Sequence, residues 1–220
     1  MAGTLYIVST PIGNLADITL RAIETLKAVD LIAAEDTRHT KILLARYDIH
    51  TPTTSYFEYN KVQKTDYLLE VLQGGQSVAL VSDAGTPGIS DPGYRIIRMC
   101  LDNAIPVVPI PGPSGLVTAL TLSGKPTDRF SFEGFLSNKS ARRRNQLTAL
   151  KGEGRTVVLY ESPHRIVKLL EDILEIYGDV DIVLARELTK VFEEVRREKV
   201  SASIAHFAST RPRGEFIVIL

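Results

Sequence analysis

A loop rich in glycine and proline is the segment of this sequence best suited to binding a ligand. The apolar run from Val78 to Val81 is typical of a buried parallel strand, and the loop of residues 83–89 follows it. Glycine lets a ligand approach bare backbone, and open α/β sheets bind ligands at the carboxyl ends of their strands. The loop matches neither the G-x-G-x-x-G pattern nor the P-loop, which needs a Lys-Ser/Thr pair. The alternative is an ordinary connection to a helix that Ser90 caps and Pro92 begins.

Three further loops carry the same kind of residues after strand-like runs. They are residues 9–17, 111–115 and 160–165. Asp17 is predicted to cap the helix after the first, and Ser162 the helix after the third, with Pro163 in its first turn. Because successive parallel strands end at one edge of a sheet, we expect the glycine- and proline-rich loops to converge on one crevice.

A different chemistry is indicated by the Glu-Asp-Thr-Arg-His segment, residues 35–39. Asp36 or Thr37 can cap the next helix, which places Arg38 and His39 in its first turn. Cations there oppose the helix dipole by about 0.3–1 kcal/mol each. Such a helix start would suit a phosphate. The alternative is that both cations point into water or pair with the two preceding carboxylates.

Positive charge is concentrated in a short basic run. Lys139 is followed by three arginines at 142–144, and a weaker cluster is formed by Arg211 and Arg213. The whole chain has 26 basic and 26 acidic residues, so no net charge attracts nucleic acid and any contact must come from local patches. The basic run is either such a patch or a solvated helix face.

Composition excludes several classes of protein. Cys100 is the only cysteine, so neither an internal disulfide nor a thiolate metal cluster can form, and a reducing cytoplasm fits best. The apolar runs are shorter than the roughly 20 residues that a membrane span needs. The first residues lack a basic n-region and enter a strand almost at once, so a signal peptide is not expected.

Strand-like and helix-like runs alternate in the first half of the chain, which predicts a parallel sheet with helical crossovers. The predicted strands are 5–8, 31–34, 78–81, 106–110, 157–160, 182–185 and 216–220, and the predicted helices are 18–29, 62–72, 94–101 and 116–122. After the turn at 110–115 the pattern changes, with alternation over 130–135 and a charged stretch at 187–203 that could hold an antiparallel pair. This turn predicts two domains, residues 1–112 and 113–220.

Six long segments, in order, resemble the tetrapyrrole methylase superfamily and, more narrowly, its ribosomal RNA methyltransferase branch. They are STPIGNLADITLRAIETLKAVDLIAAEDTRHT, LVSDAGTPGISDPGY, VVPIPGPSG, DRFSFEGFL, YESPHR and VLARELTK. The resemblance covers nearly the whole chain. It implies the two-domain α/β fold of that superfamily, with an N-terminal parallel sheet flanked by helices and a C-terminal α/β domain with a mixed sheet. It also implies that the cofactor lies in the cleft between the domains.

The resemblance further implies an S-adenosylmethionine-dependent enzyme that methylates the ribose 2′-hydroxyl of a cytidine in small-subunit (16S) ribosomal RNA. A cytoplasmic homodimer without a metal, acting on the assembled small subunit, is the expected form. The superfamily's tetrapyrrole enzymes usually have a Gly-x-Gly-x-Gly-like first loop and Gly-Asp-Pro in the second. Here those positions read Thr10-Pro-Ile-Gly13 and Gly85-Thr-Pro87, as in the ribosomal RNA branch. Family members tend to continue past the position of Leu220, so a further C-terminal region is expected.

Three sets of functional residues are expected. The cofactor-binding residues carried over from the family are Pro11, Ile12, Asp83, Ala84, Gly85, Thr86, Ile89, Ser114, Gly115, Tyr160, Ala185 and Gly214. The catalytic candidates are Glu35, Asp36, Arg38 and His39. The residues expected to contact RNA are Arg38, Lys139, Arg142, Arg143 and Arg144. A ribose hydroxyl is a weak nucleophile, so the reaction needs in-line positioning and a base, which the sequence does not single out.

Two other functions stay open on the sequence alone. One is a methylase of the same superfamily that acts on a tetrapyrrole or precorrin, or on a diphthine-type side chain. Its substrate pocket would be a large apolar cavity instead of an open cleft rimmed by arginines. The other is an idle nucleotide-binding or scaffold module, which would not transfer a methyl group to RNA.

Overall fold

The computed structural model describes residues 2–220, with Lys61 described by its backbone only. The chain divides between Ser114 and Gly115 into two compact units, each with its own five-stranded sheet. No helix within residues 2–220 is long and apolar enough to cross a membrane.

The first unit is built on a fully parallel sheet in the order β3-β2-β4-β1-β5. Its strands are β1 (Leu5–Val8), β2 (Leu31–Ala34), β3 (Thr53–Ser55), β4 (Val78–Val81) and β5 (Val107–Ile110). Its helices are α1 (Leu20–Ala28), α2 (Thr37–Arg46), α3 (Lys61–Gln73) and α4 (Tyr94–Asp102).

Helices cover both faces of this first sheet, which explains why its strands are continuous apolar runs. Successive strand residues point to opposite faces. In β4, Val78 and Leu80 pack in a core with residues of α3 and α4, and Ala79 and Val81 pack in a second core with residues of α1 and α2. A strand buried on both faces has no polar positions to alternate with its apolar ones.

The second unit has a mixed sheet in the order β6-β7-β10-β8-β9, in which only β6 and β7 run parallel. Its strands are β6 (Phe130–Phe135), β7 (Thr156–Glu161), β8 (Asp181–Arg186), β9 (Glu194–Lys199) and β10 (Phe216–Ile219). Its helices are α5 (Gly115–Ser123), α6 (Ser140–Lys151), α7 (Ile166–Tyr177) and α8 (Val200–Ser209). Helices α6, α7 and α8 share one apolar core with this sheet, and α5 packs against β10. The predicted fold class is confirmed.

The structure corrects three predicted helix starts. Asp17 ends a short 3₁₀ turn, and the hydroxyl of Thr19 caps α1 by accepting a hydrogen bond from the Ala22 amide at 3.1 Å. Ser90 has φ of 63°, in the left-handed region, so α4 begins only after Gly93. Ser162 makes no side-chain cap for α7, which begins at Ile166 after a turn. In each case the predicted capping residue lies in a turn that precedes the helix by three or more residues.

Candidate active site

The loops that follow β2, β4, β1 and β5 stand side by side, because these strands are neighbours in the parallel sheet. The loops after β1 and β4 are bonded directly. The Thr10 amide donates to the Gly85 carbonyl at 2.8 Å, and the Gly85 amide donates to the Thr10 carbonyl at 3.1 Å. The hydroxyls of Ser9 and Thr86 share a hydrogen bond of 2.8 Å. These bonds hold two glycine- and proline-rich loops in fixed positions at one edge of the sheet.

Gly85 lies where three of these loops meet. Its φ of 79° is in the left-handed region that favours glycine. A Cβ atom at this position would lie 3.6 Å from Cγ2 of Ile12 and 3.9 Å from the carbonyl oxygen of Pro113. A Cβ on Gly112 would approach Cβ of Ser9 to 3.0 Å, so that loop also packs closely on β1. The predicted cofactor residues of the loops after β1 and β4 therefore lie together around bare backbone.

Two carboxylates join the ends of β2 and β4. The Asp36 amide donates to Oδ1 of Asp83 at 3.0 Å, and the Asp83 amide donates to Oε2 of Glu35 at 3.4 Å. Partial burial raises the pKa of Glu35. The hydrogen bond from the Asp83 amide lowers this pKa, and the nearby charges of Asp83 and Asp36 raise it, so that the net direction is upward. Glu35 is thus a half-buried carboxylate with more basic character than a solvated one.

Asp36 has the opposite environment. It is the N-cap of α2 and accepts hydrogen bonds from the Arg38 amide at 2.8 Å and from Nη2 of Arg38 at 2.7 Å. The Arg38 side chain holds the pKa of Asp36 far below its usual range, and the Arg38 and His39 amides add to this effect. Arg38 is 89% exposed but folds back onto Asp36, and His39 is exposed beside it. Of the two alternatives from the sequence, pairing with Asp36 is the one observed for Arg38.

Within the second unit, three of the predicted cofactor residues gather on one face of the sheet. Tyr160 and Ala185 both pair with Ile217, one on each side of β10. A Cβ on Gly115 would lie 3.3 Å from Cδ1 of Ile217 and 3.5 Å from the Tyr160 hydroxyl. The fourth, Gly214, precedes β10 with φ of 81°. Ile217 lies beside these three residues but was not among the predicted ones, although its place in the centre of the last predicted strand could have indicated it.

The basic run on α6 does not form a single patch. Arg143 is only 4% exposed, and its Nε lies 2.6 Å from a carboxylate oxygen of Asp172 on α7. A buried guanidinium held by a buried carboxylate cannot face RNA, so the prediction for Arg143 is wrong. Arg144 forms an ion pair with Glu175. Lys139 and Arg142 are exposed, and their side chains have neither a hydrogen bond nor an ion pair with any residue that the structure describes.

The described residues contain no group of three or more His, Cys, Asp or Glu placed to hold a metal ion. The single thiol, Cys100, is buried in α4, and this burial raises its pKa to about 11. It lies in the apolar core that α3 and α4 form with the first sheet and not among the loops of the site.

Comparison with known proteins defines the class. The chain matches the family model of tetrapyrrole (corrin/porphyrin) methylases over residues 4–203. The fold is similar to that of a cobalt precorrin-4 methyltransferase, with a TM-score of 0.74 and 15% identity over 98% of this chain and 94% of that chain. It is also similar to a diphthine synthase, with a TM-score of 0.77 and 16% identity over 99% of this chain and 90% of the other. The fold is that of the tetrapyrrole methylases.

More similar relatives specify the branch. The chain is 51% identical over 219 residues to ribosomal RNA small subunit methyltransferase I of Synechocystis sp., covering 99% of this chain and 78% of the relative. It is 50% identical to the protein of the same name from Thermotoga maritima, covering 99% of this chain and 98% of the relative. The chain belongs to the tetrapyrrole methylase family, in its branch of ribosomal RNA small subunit methyltransferases I.

Proposed function

We propose that this chain transfers a methyl group from S-adenosylmethionine to the ribose 2′-hydroxyl of a cytidine in small-subunit (16S) ribosomal RNA. The observation that carries the proposal is the identity of about half of all residues, over nearly the whole chain, with enzymes named for methylation of this RNA. The cobalt precorrin-4 methyltransferase and the diphthine synthase are 15% and 16% identical to this chain and show the fold alone, so no observation favours a tetrapyrrole or diphthine substrate.

The residues at the edge of the first sheet fit the proposed cofactor. Bare backbone at Gly85 lets a flat adenosine approach closely, and the carboxylates of Glu35 and Asp83 complement a sulfonium and an ammonium group. S-adenosylmethionine supplies a methyl group already activated by its positive sulfur, so no metal is needed for the transfer. In the first unit the residues proposed to bind it are Pro11, Ile12, Asp83, Ala84, Gly85, Thr86, Ile89 and Ser114. In the second unit they are Gly115, Tyr160, Ala185 and Gly214.

Glu35 is the residue that we propose to take the proton from the ribose hydroxyl. General bases work best when their pKa is raised toward the working pH, and burial moves Glu35 in that direction. We do not assign this role to Asp36, because Arg38 and the helix start lower its pKa and make it a weaker base. We assign Arg38 and His39, exposed at the same edge, to contacts with the RNA backbone near the reacting nucleotide.

The chain has no excess of positive charge, so its affinity for RNA must come from few contacts. In the basic run at the start of α6, Lys139 and Arg142 are exposed and have no ion-pair partner among the described residues. Arg144 is already paired with Glu175. A homodimer would present two copies of each patch. We therefore propose that the enzyme is a cytoplasmic dimer that recognises the shape of an assembled small subunit.

The proposal is tested by methyl transfer from labelled S-adenosylmethionine. The acceptors are small subunits and naked 16S RNA from cells that lack the enzyme, with large subunits and a uroporphyrinogen as controls. Label is expected in small-subunit RNA, and more of it from assembled subunits than from naked RNA. Label in the tetrapyrrole, or in no acceptor, would contradict the proposal.

A further inference from the structure

The second unit contains a cleft of about 450 Å³ whose lining includes only Gly214 among the residues proposed above to bind the cofactor or RNA. It opens where β8 ends and where β9 and β10 begin, below the end of α8. The residues that matter for its chemistry are Arg186, Phe192, Ser209, Arg211, Arg213 and Gly214. Its volume is within the range of about 300–1,000 Å³ that is typical of small-molecule sites.

Two of the arginines give the cleft a positive charge. Arg186 is paired with Glu194, and its Nη2 donates to the Phe192 carbonyl at 3.3 Å. Arg211 and Arg213 are exposed and make neither a hydrogen bond nor an ion pair with any described residue. The one carboxylate in the lining is already engaged, because Oε1 of Glu187 accepts from Nζ of Lys190 at 3.0 Å and from the Glu215 amide at 2.9 Å. The cleft therefore presents two guanidinium groups that no carboxylate among the described residues pairs with.

The loop along the cleft is held in a strained shape. Glu187 and Thr189 have φ of 50° and 67°, although neither is glycine. The Glu187 amide donates to the Glu215 carbonyl at 3.1 Å, and a Cβ on Gly214 would collide with the Glu187 side chain. Non-glycine residues in this region cost about 1–3 kcal/mol each and cluster at binding sites, where the surrounding structure imposes them.

This fixed loop leaves an aromatic side chain in water at the cleft. Phe192 is 71% exposed, so burial of its ring does not account for its presence. Exposed aromatic rings next to arginines are the arrangement that proteins use for unpaired nucleotides, since the ring stacks on the base and guanidinium groups bind the phosphate.

We propose that this cleft binds one nucleotide of single-stranded RNA, with its phosphate on Arg211 and Arg213 and its base on Phe192. The proposal rests on the proposed function, since it assumes an RNA substrate. It adds a contact on the second unit that is separate from Lys139 and Arg142 at the start of α6.

The test measures binding of a fluorescein-labelled, mixed-sequence oligoribonucleotide of about 12 nucleotides, within the range that single-strand sites cover. The full chain is compared with Phe192→Ala and with the double variant Arg211→Ala/Arg213→Ala. Arg129→Ala is the matched control, because this exposed arginine precedes β6 and lies at the opposite end of the same sheet. S-adenosylmethionine affinity is measured by calorimetry for every variant.

We expect Phe192→Ala to raise the Kd for RNA by about fivefold or more, because loss of one base stack has an effect of that order. The double arginine variant should raise the Kd by about tenfold and lower the slope of log Kd against log salt by about 0.7 for each lost phosphate contact. Arg129→Ala should bind as the unchanged chain does, and cofactor affinity should stay constant throughout.

Four outcomes would overturn the proposal. The first is unchanged RNA affinity in both cleft variants while the unchanged chain binds RNA and methylates small subunits, which leaves the proposed function standing. The second is weakened cofactor affinity without weakened RNA affinity. The third is displacement of the labelled RNA by an acidic polypeptide as effectively as by unlabelled RNA, with the same affinity for that polypeptide in the unchanged chain and in Phe192→Ala. The fourth is an unchanged chain that neither binds RNA nor methylates it, a result that would remove the proposed function as well.

Discussion

Glu35 and Asp36 are adjacent carboxylates whose surroundings move their pKa values in opposite directions. Burial raises the pKa of Glu35, and hydrogen bonds from Arg38 lower that of Asp36. Pairs of acids with diverging pKa values commonly have separate tasks in active sites. Here one anion stabilises the start of a helix, and the other, which we propose as the general base, is more basic than a solvated carboxylate.

Replacement of Glu35 by glutamine should lower the activity and raise the stability of the protein. Loss of a general base is expected to lower the rate of methyl transfer by about 10²–10⁴-fold. Because the pKa is raised in the folded state, the ionised carboxylate destabilises the fold above the unfolded pKa of about 4.3. Glu35→Gln should therefore raise the melting temperature at pH 7, and the difference should vanish below about pH 4, where the acid is protonated in both states.

Thermal unfolding across this pH range and single-turnover methyl transfer measure the two effects. Glu70→Gln, at an exposed position of α3, is the control and should change neither. Full activity of Glu35→Gln would exclude Glu35 as the base.

Gly85 offers a second test at the scale of one residue. Its Cβ would make ordinary contacts with Ile12 and Pro113, so alanine fits sterically, but the φ of 79° is unfavourable for it. Gly154 has φ of 61° with nothing within 4 Å of a Cβ, so Gly154→Ala carries the same kind of strain away from the site. Both substitutions should destabilise by about 1 kcal/mol, since the left-handed region costs a non-glycine residue about that much.

Only Gly85→Ala should weaken binding of S-adenosylmethionine in calorimetry, because only its methyl group occupies backbone that the cofactor is proposed to approach. Equal affinities for the two alanine variants would show that the adenosine is placed wrongly.

At the scale of elements, α6 shows how a charge run can hide a core residue. Arg143 lies four residues before Leu147 and seven before Leu150, which is the spacing of one helical face, and all three are buried. Its ion pair with Asp172 connects α6 to α7. This spacing was visible in the sequence, whereas the partner on α7 could not be identified before the fold was known.

Arg143→Met should therefore destabilise the protein and not merely weaken RNA binding. Removal of one partner of a buried ion pair typically costs about 3–5 kcal/mol, since the other charge stays buried without compensation. Arg142→Ala, its exposed neighbour, should change stability by less than about 0.5 kcal/mol. Denaturant unfolding measures both, and the double variant Arg143→Met/Asp172→Ala should recover part of the loss. Similar stabilities for Arg143→Met and Arg142→Ala would contradict the structural role.

The seven strands predicted with bounds agree with the observed ones to within one residue at each end, whereas the predicted caps of α1, α4 and α7 do not. Buried runs such as Val78–Val81 have only one plausible environment, so composition alone identifies them. The short strand Thr53–Ser55 was missed, because three hydroxyl residues at a sheet edge have no apolar pattern. Ser90 and Pro92 suit a helix start and a turn equally, and the turn is observed, with Gly93 so close to Gly88 that a Cβ on Gly93 would lie 2.9 Å from the Gly88 nitrogen.

At the scale of the whole molecule, the convergence of loops follows from topology. The order β2-β4-β1-β5 places the predicted loops next to each other, and hydrogen bonds between Thr10 and Gly85 hold two of them in register. A parallel sheet made this edge predictable, but not which carboxylate there is basic. That property depends on burial and on contacts such as the one between Asp83 and Glu35, which join residues 48 positions apart in the chain.

The position of the transferred methyl group tests the central claim most directly. Small subunits from cells that lack the enzyme are incubated with the full chain and labelled S-adenosylmethionine, and their RNA is then hydrolysed with alkali. A methyl group on the ribose 2′-oxygen blocks cleavage at the next phosphate, so label is expected in an alkali-stable dinucleotide that begins with cytidine. Label recovered in a single mononucleotide, and hence on a base, or an alkali-stable product that begins with another nucleoside, would contradict the claim.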